Sequence, residues 1–141
     1  MAESIEPTDQ KAFPRTASCL PEIFAFMDAF FARAGIGDVH RLPMHFVVEE
    51  WFTNLVKYSR GGTQDIVLDL KRAGGRLVVS LTDFGVERFD IRTAPEVDVN
   101  RDISDRKPGG LGIHLVKRMV DEVGYEYLDG RSTTTFIKSL E

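Results

Sequence analysis

Apolar and polar positions follow two rhythms along this chain. In LPEIFAFMDAFFARAG, Leu20 and then Ile23, Phe24, Met27, Phe30 and Phe31 recur at helical spacing. Pro21, a favoured first helical residue, opens this first helix and Gly35 closes it. Its apolar arc covers roughly 160°, wider than a minimal core stripe. Either the chain's own core covers both flanks, or part of the arc is a surface for a second copy or a partner. The pattern predicts a second helix from about Pro43 to Ser59, stopped by Gly61-Gly62. The rhythm then changes to two: Ile66, Leu68 and Leu70, followed by Leu77, Val79 and Leu81, each line one face of a strand, with AGG as the hairpin turn. Residues 86–107 are polar and aperiodic, and a stretch that long in a compact domain is more often a functional lid than an idle loop. LGIHLVKRMVDEVG returns to helical spacing through Ile113, Val116, Val120 and Val123, flanked by Leu111, Leu115 and Met119, and is predicted to end at Gly124. YEYL, a DGRS turn and TTTFIKSL supply two more strands, and KAFPR reads as an edge strand because Pro14 excludes a central one.

This order of elements predicts an α+β fold, a two-layer sandwich in which helices pack on one face of a mixed, mostly antiparallel sheet. With 141 residues, 43% hydrophobic and 28% charged, the chain suits a single domain spanning 1–141. Residues 1–10 are expected to be a flexible tail and 86–107 a lid. The net charge of -4 offers no electrostatic footprint for a nucleic-acid backbone or an anionic membrane. The acidic, polar start MAESIEPTDQ lacks the apolar core of a secretion signal, and no apolar stretch reaches membrane-spanning length, so a cytoplasmic location is expected. One cysteine, Cys19, and three histidines cannot build a disulfide framework or a Cys/His zinc site.

Three places break the hydrophobic pattern with chemistry. Glu50, Asn54 and Lys57 fall within roughly 60° of one another on the second helix, where Leu or Val would be usual. Asp83 ends an apolar strand just before Phe84-Gly85; it is either an ordinary turn residue or a semi-buried carboxylate that accepts from an exocyclic amine, with Gly85 letting a planar base lie close. PGGLG places three glycines at the start of the third helix, which either loosen the chain or offer free N–H groups and a positive dipole end to phosphate.

In their order and spacing, these stretches resemble the motif set of the histidine-kinase-like (GHKL) ATPases, and within them the anti-sigma-factor serine/threonine kinases. EEWFTNLVKY is similar to the family's N box, DFGVERFD to its first glycine box, KPGGLGIHLVKRMVDEV to its second, and TTTFIKSL to its closing strand. The resemblance implies ATP and Mg²⁺ as cofactors. It implies Asn54 as the amide holding Mg²⁺ against the phosphates, Lys57 as a positive charge near them, Asp83 on the adenine amino group, and Gly85 and Phe89 in the base site. Gly109, Gly110, Leu111, Gly112 and Ile113 would wrap the phosphates, Thr135 would reach adenine, and Glu50 would be the general base. The implied partners are an anti-anti-sigma (STAS-domain) protein whose Ser or Thr hydroxyl is phosphorylated, a sigma factor, and a second copy of the chain in a homodimer. A non-catalytic, nucleotide-dependent binding switch of the same fold is the alternative. Tyr58 stands where many relatives have His, the spacing from Gly85 to Phe89 is about one residue longer than usual, and Arg101, Arg106 and Lys107 all compete for the role of a basic lid residue.

Overall fold

The computed structural model describes residues 6–93 and 110–141. Five strands, β1 (Thr8–Phe13), β2 (Ile66–Ala73), β3 (Arg76–Asp83), β4 (Glu122–Leu128) and β5 (Arg131–Ser139), form one sheet in the order β1-β2-β3-β5-β4. Three helices, α1 (Leu20–Ala34), α2 (Asp38–Tyr58) and α3 (Gly110–Met119), lie on one face of it. The α+β sandwich is as expected, but all four pairings are antiparallel, so the sheet of the described residues is not mixed. Alternation decides which face is covered. Ile66, Leu68 and Leu70 of β2, Leu77, Val79 and Leu81 of β3 and Phe136 of β5 are buried with residues of all three helices in one core.

Two tight turns set the register. Gly74-Gly75 joins β2 to β3, with Gly74 at φ +61. Asp129 and Gly130 both take positive φ between β4 and β5, the conformation whose twist suits a two-residue hairpin. On the edge, β1 begins at Thr8 and ends before Pro14. Residues 8–10 of the expected tail are therefore strand: their backbone pairs with Asp69–Lys71, and Asp9 and Gln10 bond Arg33 and Asp69.

Helix α1 closes as predicted, with Gly35 in the left-handed region and its N–H on the Phe31 carbonyl. Most of its wide apolar arc is buried inside the chain. Ile23, Met27, Phe30 and Phe31 are buried, while Phe26 meets Phe13 edge-on and Phe24 stacks on His45 at 4.6 Å. Leu20, Phe24 and Phe26 are only partly buried against the core, so a homodimer through this arc stays an expectation. Helix α2 starts at Asp38, five residues before the predicted start, and carries Pro43 within it. The proline leaves the Val39 carbonyl without a helical donor, and that turn is exposed to water, which can satisfy it.

The third helix is shorter than its periodicity predicts. It ends at Met119, and Gly124 is not its stop but a residue of β4. From Glu122 onward the backbone pairs with β5, and Val123 lies opposite Phe136. Val123 reaches the same apolar layer whether the segment is helix or strand, which is why helical spacing seemed to continue. Among the described residues no helix is long and apolar enough to cross a membrane.

Candidate functional site

The polar stripe of α2 faces the N-terminal end of α3. Asn54 is buried, its Nδ2 donating to the Glu50 carbonyl one turn earlier at 2.6 Å. Its Oδ1 is buried and has no partner among the described residues. A buried acceptor left open costs about 1–3 kcal/mol, so its survival in a polar cleft points to an incoming donor or cation. Glu50 is half-buried and lies against Gly112, where an added methyl would collide with its carboxylate. Burial, and after it the charge of Glu49, pushes the Glu50 carboxyl above the ordinary glutamate range, against a smaller opposing pull from Lys57. Lys57 itself is exposed at the end of α2.

Asp83 closes the central strand β3 and is fully buried. Its Oδ1 is paired with the Arg15 guanidinium, which also donates to the Leu55 carbonyl at 3.0 Å, whereas Oδ2 is buried without a partner among the described residues. The turn that follows is built on close backbone approach. Gly85 has φ +66, its neighbour Val86 donates to the Gly130 carbonyl, and a Cβ on Gly61 would lie 2.9 Å from the Gly85 oxygen.

Not every predicted site residue gathers here. Thr135 is a correction: it lies on the outer face of the sheet, its hydroxyl 2.9 Å from that of Ser80. Period-two alternation puts Thr134, paired with Leu81 and buried, on the helix side together with Ser132 opposite Asp83. Phe136 is apolar and faces the core, so counting back by two from it identifies Thr134 from sequence alone. Ile113 is buried in the core under α3, and Phe89 stacks on Trp51 at 5.1 Å. Gly110 opens α3; Gly109, the side chain of Leu111, and the candidates Arg101, Arg106 and Lys107 lie outside the described residues.

The first third of the expected lid, residues 86–93, is held down. Val86 and Ile91 are buried, the Tyr127 hydroxyl donates to the Val86 carbonyl at 2.7 Å, and the Phe89 N–H donates to the Tyr125 hydroxyl at 3.0 Å. Burial alone would raise the Asp90 carboxyl, but hydrogen bonds and charge from Arg92, with the charge of Arg88, outweigh it and hold it below the ordinary aspartate range. Residues 94–107 of that segment lie outside the described residues. Sequence reasoning did not find Arg15, because a single basic residue after Pro14 carries no periodic or motif signal.

Among the described residues no group of three or more His, Cys, Asp or Glu could cage a metal by itself. A hard cation here would take Asn54 Oδ1 and complete its shell with water and ligand oxygens, a donor set that suits Mg²⁺.

Residues 13–138 match the histidine kinase-like ATPase domain family. The chain is 30% identical over 107 residues to the serine-protein kinase RsbW of Listeria monocytogenes, covering 72% of this chain and 68% of that one. The serine-protein kinase RsbW of Listeria innocua is 29% identical over 107 residues with the same coverage. Among solved structures, the RsbU and RsbW domains of a Mycobacterium tuberculosis protein have a similar fold, with TM-score 0.63 at 18% identity over 94% of this chain, which spans 32% of that one. The histidine kinase AdeS of Acinetobacter baumannii gives TM-score 0.50 at 15% identity, covering 94% of this chain and 68% of that one. The chain belongs to the histidine kinase-like ATPase family and, within it, is similar to the RsbW serine-protein kinases.

Proposed function

We propose that this chain is a cytoplasmic, single-domain kinase that binds Mg-ATP between α2, β3 and α3, phosphorylates a Ser or Thr of an anti-anti-sigma (STAS-type) partner, and captures a sigma factor. The observation that carries the kinase reading is Glu50: a half-buried carboxylate with a raised pKa, set against Gly112 at the glycine-rich start of α3. The two open acceptors, Asn54 Oδ1 and Asp83 Oδ2, support a ligand with a cation at one end and an amine at the other. The resemblance of its boxes to those of the anti-sigma-factor kinases suggests the partner class, and the likeness to serine-protein kinases supports a hydroxyl acceptor.

In this reading Asp83 Oδ2 accepts from the adenine amino group, and Thr134 takes the hydroxyl role expected of Thr135. Backbone N–H groups at the start of α3 and the exposed ammonium of Lys57 hold the phosphates. Asn54 would hold Mg²⁺, which when bound neutralises charge on the phosphates. Glu50 accepts the proton of the partner's hydroxyl as its oxygen bonds to the γ-phosphorus and the bond to the leaving ADP oxygen breaks. Positioning supplies most of the rate in phosphoryl transfer, and a base in reach adds about 10²–10⁴-fold.

The test is transfer from radiolabelled ATP to STAS-domain proteins of the same genome, with wild type beside Glu50→Gln. The glutamine keeps size and shape but accepts no proton, so transfer should fall about 100-fold or more with nucleotide affinity nearly unchanged. Equal transfer by the two proteins would remove Glu50 from the base role. Partner binding without transfer to any candidate would leave the nucleotide-dependent, non-catalytic switch as the function.

A further inference from the structure

We propose that Arg15 is the gate of the base site: its guanidinium latches Asp83 to the end of α2 and must swing away before a purine amine can reach the carboxylate. The inference rests on the reading of Asp83 as the adenine anchor. Asp83 has no exposed surface, and one of its oxygens is buried without a partner among the described residues, so a ligand reaches it only if a covering group moves. The backbone around it is fixed by the β3–β5 ladder and by the Gly61, Gly85 and Gly130 contacts, none of which opens without breaking sheet or turn. Among the described residues Arg15 is the side chain bonded to the Asp83 carboxylate, and it belongs to neither the ladder nor the turn. It follows β1 at the bend after Pro14, keeps its side chain 12% exposed, and meets Asp83 only through the far end of a long, flexible stem.

The latch bridges both walls of the cleft. One guanidinium nitrogen pairs with Asp83 at the end of β3, and the other donates to the Leu55 carbonyl on α2, one residue past Asn54. Gly62 completes the seat, since a methyl there would collide with the guanidinium. A neutral exocyclic amine is a weaker donor to a carboxylate than a guanidinium. Arg15 pairs with Oδ1 and the amine takes Oδ2, so the two compete for the space beside one carboxylate, and the salt-bridged, closed form is the major one. The apparent dissociation constant is the intrinsic one divided by the fraction open, which raises it about tenfold or more when that fraction is a tenth or less.

The experiment titrates a fluorescent ATP analogue, with Mg²⁺, into wild type and three variants, each checked for folding by circular dichroism. Arg15→Met removes the latch while keeping the apolar stem. Gly62→Ala keeps both charged side chains and dislodges the guanidinium, which guards against a result caused only by deleting the positive charge. Both should bind the analogue about tenfold more tightly than wild type. Equal or weaker binding by folded Arg15→Met and Gly62→Ala overturns the gate. Asp83→Asn separates the two readings: if it abolishes binding while the other two leave affinity unchanged, only the gate fails. If Asp83→Asn binds as wild type does, Asp83 is not the anchor and the site reading fails with it.

Discussion

Glu50 shows how one residue joins stability to chemistry. Its carboxyl is raised above the ordinary glutamate range by burial first and Glu49 second, so between the ordinary and the raised value the native state holds more protons than the unfolded chain. Stability therefore falls as pH rises through that window, and it recovers as pH falls through it. Glu50→Gln should flatten this dependence, as read by thermal melts across mildly acidic pH. The same shift bears on rate: because the base must be ionised, the acid limb of kcat/KM should lie above the ordinary glutamate value and vanish in the variant. An acid limb that persists in Glu50→Gln belongs to another group. The two threonines offer a paired comparison. Thr134 faces the helices and Thr135 bonds Ser80 on the opposite face, so Thr134→Val should weaken nucleotide binding about three- to tenfold while Thr135→Val leaves it within twofold. Nucleotide titrations of the two variants decide it, and the reverse order would restore Thr135 to the site.

At the scale of elements, α2 and α3 meet through a glycine. Alanine is the better helix former by about 1 kcal/mol, so Gly112→Ala would be neutral or stabilising if Gly112 were only a helical residue. Its methyl would instead meet the Glu50 carboxylate, the movable end of a side chain, which would be displaced without disturbing the backbone. Transfer should fall at least tenfold while the melting temperature stays level or rises. Undiminished transfer would mean that Glu50 does not act from beside Gly112. The elements themselves differ in how well the pattern announced them. Strands β2 and β3 were legible because a period of two cannot be mistaken for a helix when Leu68, Leu70, Val79 and Leu81 all point one way. The end of α3 was not, because Val120 and Val123 satisfy both periods and only pairing with β5 chooses between them. The Glu50, Asn54 and Lys57 stripe was legible as an anomaly, whereas Arg15 owes its place to the pairing of β1 with β2, which brings the chain after Pro14 beside the end of β3, and has no local signature.

At the scale of the whole molecule, the described site gathers groups distant in sequence: Arg15 after β1, Glu50 and Asn54 on α2, Asp83 at the end of β3, Thr134 on β5 and Gly112 on α3. A ligand touching all of them ties the helical layer to the sheet and must be released before the chain unfolds. Its binding energy then adds to global stability, by about 2.7 kcal/mol at one hundred times the dissociation constant. For a domain of this length that is a rise in melting temperature of roughly 5–10 °C. Mg-ATP should produce it, ATP with a chelator should produce less because Asn54 Oδ1 then has no cation to hold, and Asn54→Ala should erase the difference between the two. Differential scanning fluorimetry at millimolar nucleotide reads all three. A melting temperature indifferent to nucleotide, with and without Mg²⁺, would mean that these residues converge on something other than ATP. A shift that is the same with and without the metal would keep the nucleotide and remove Asn54 from its metal role.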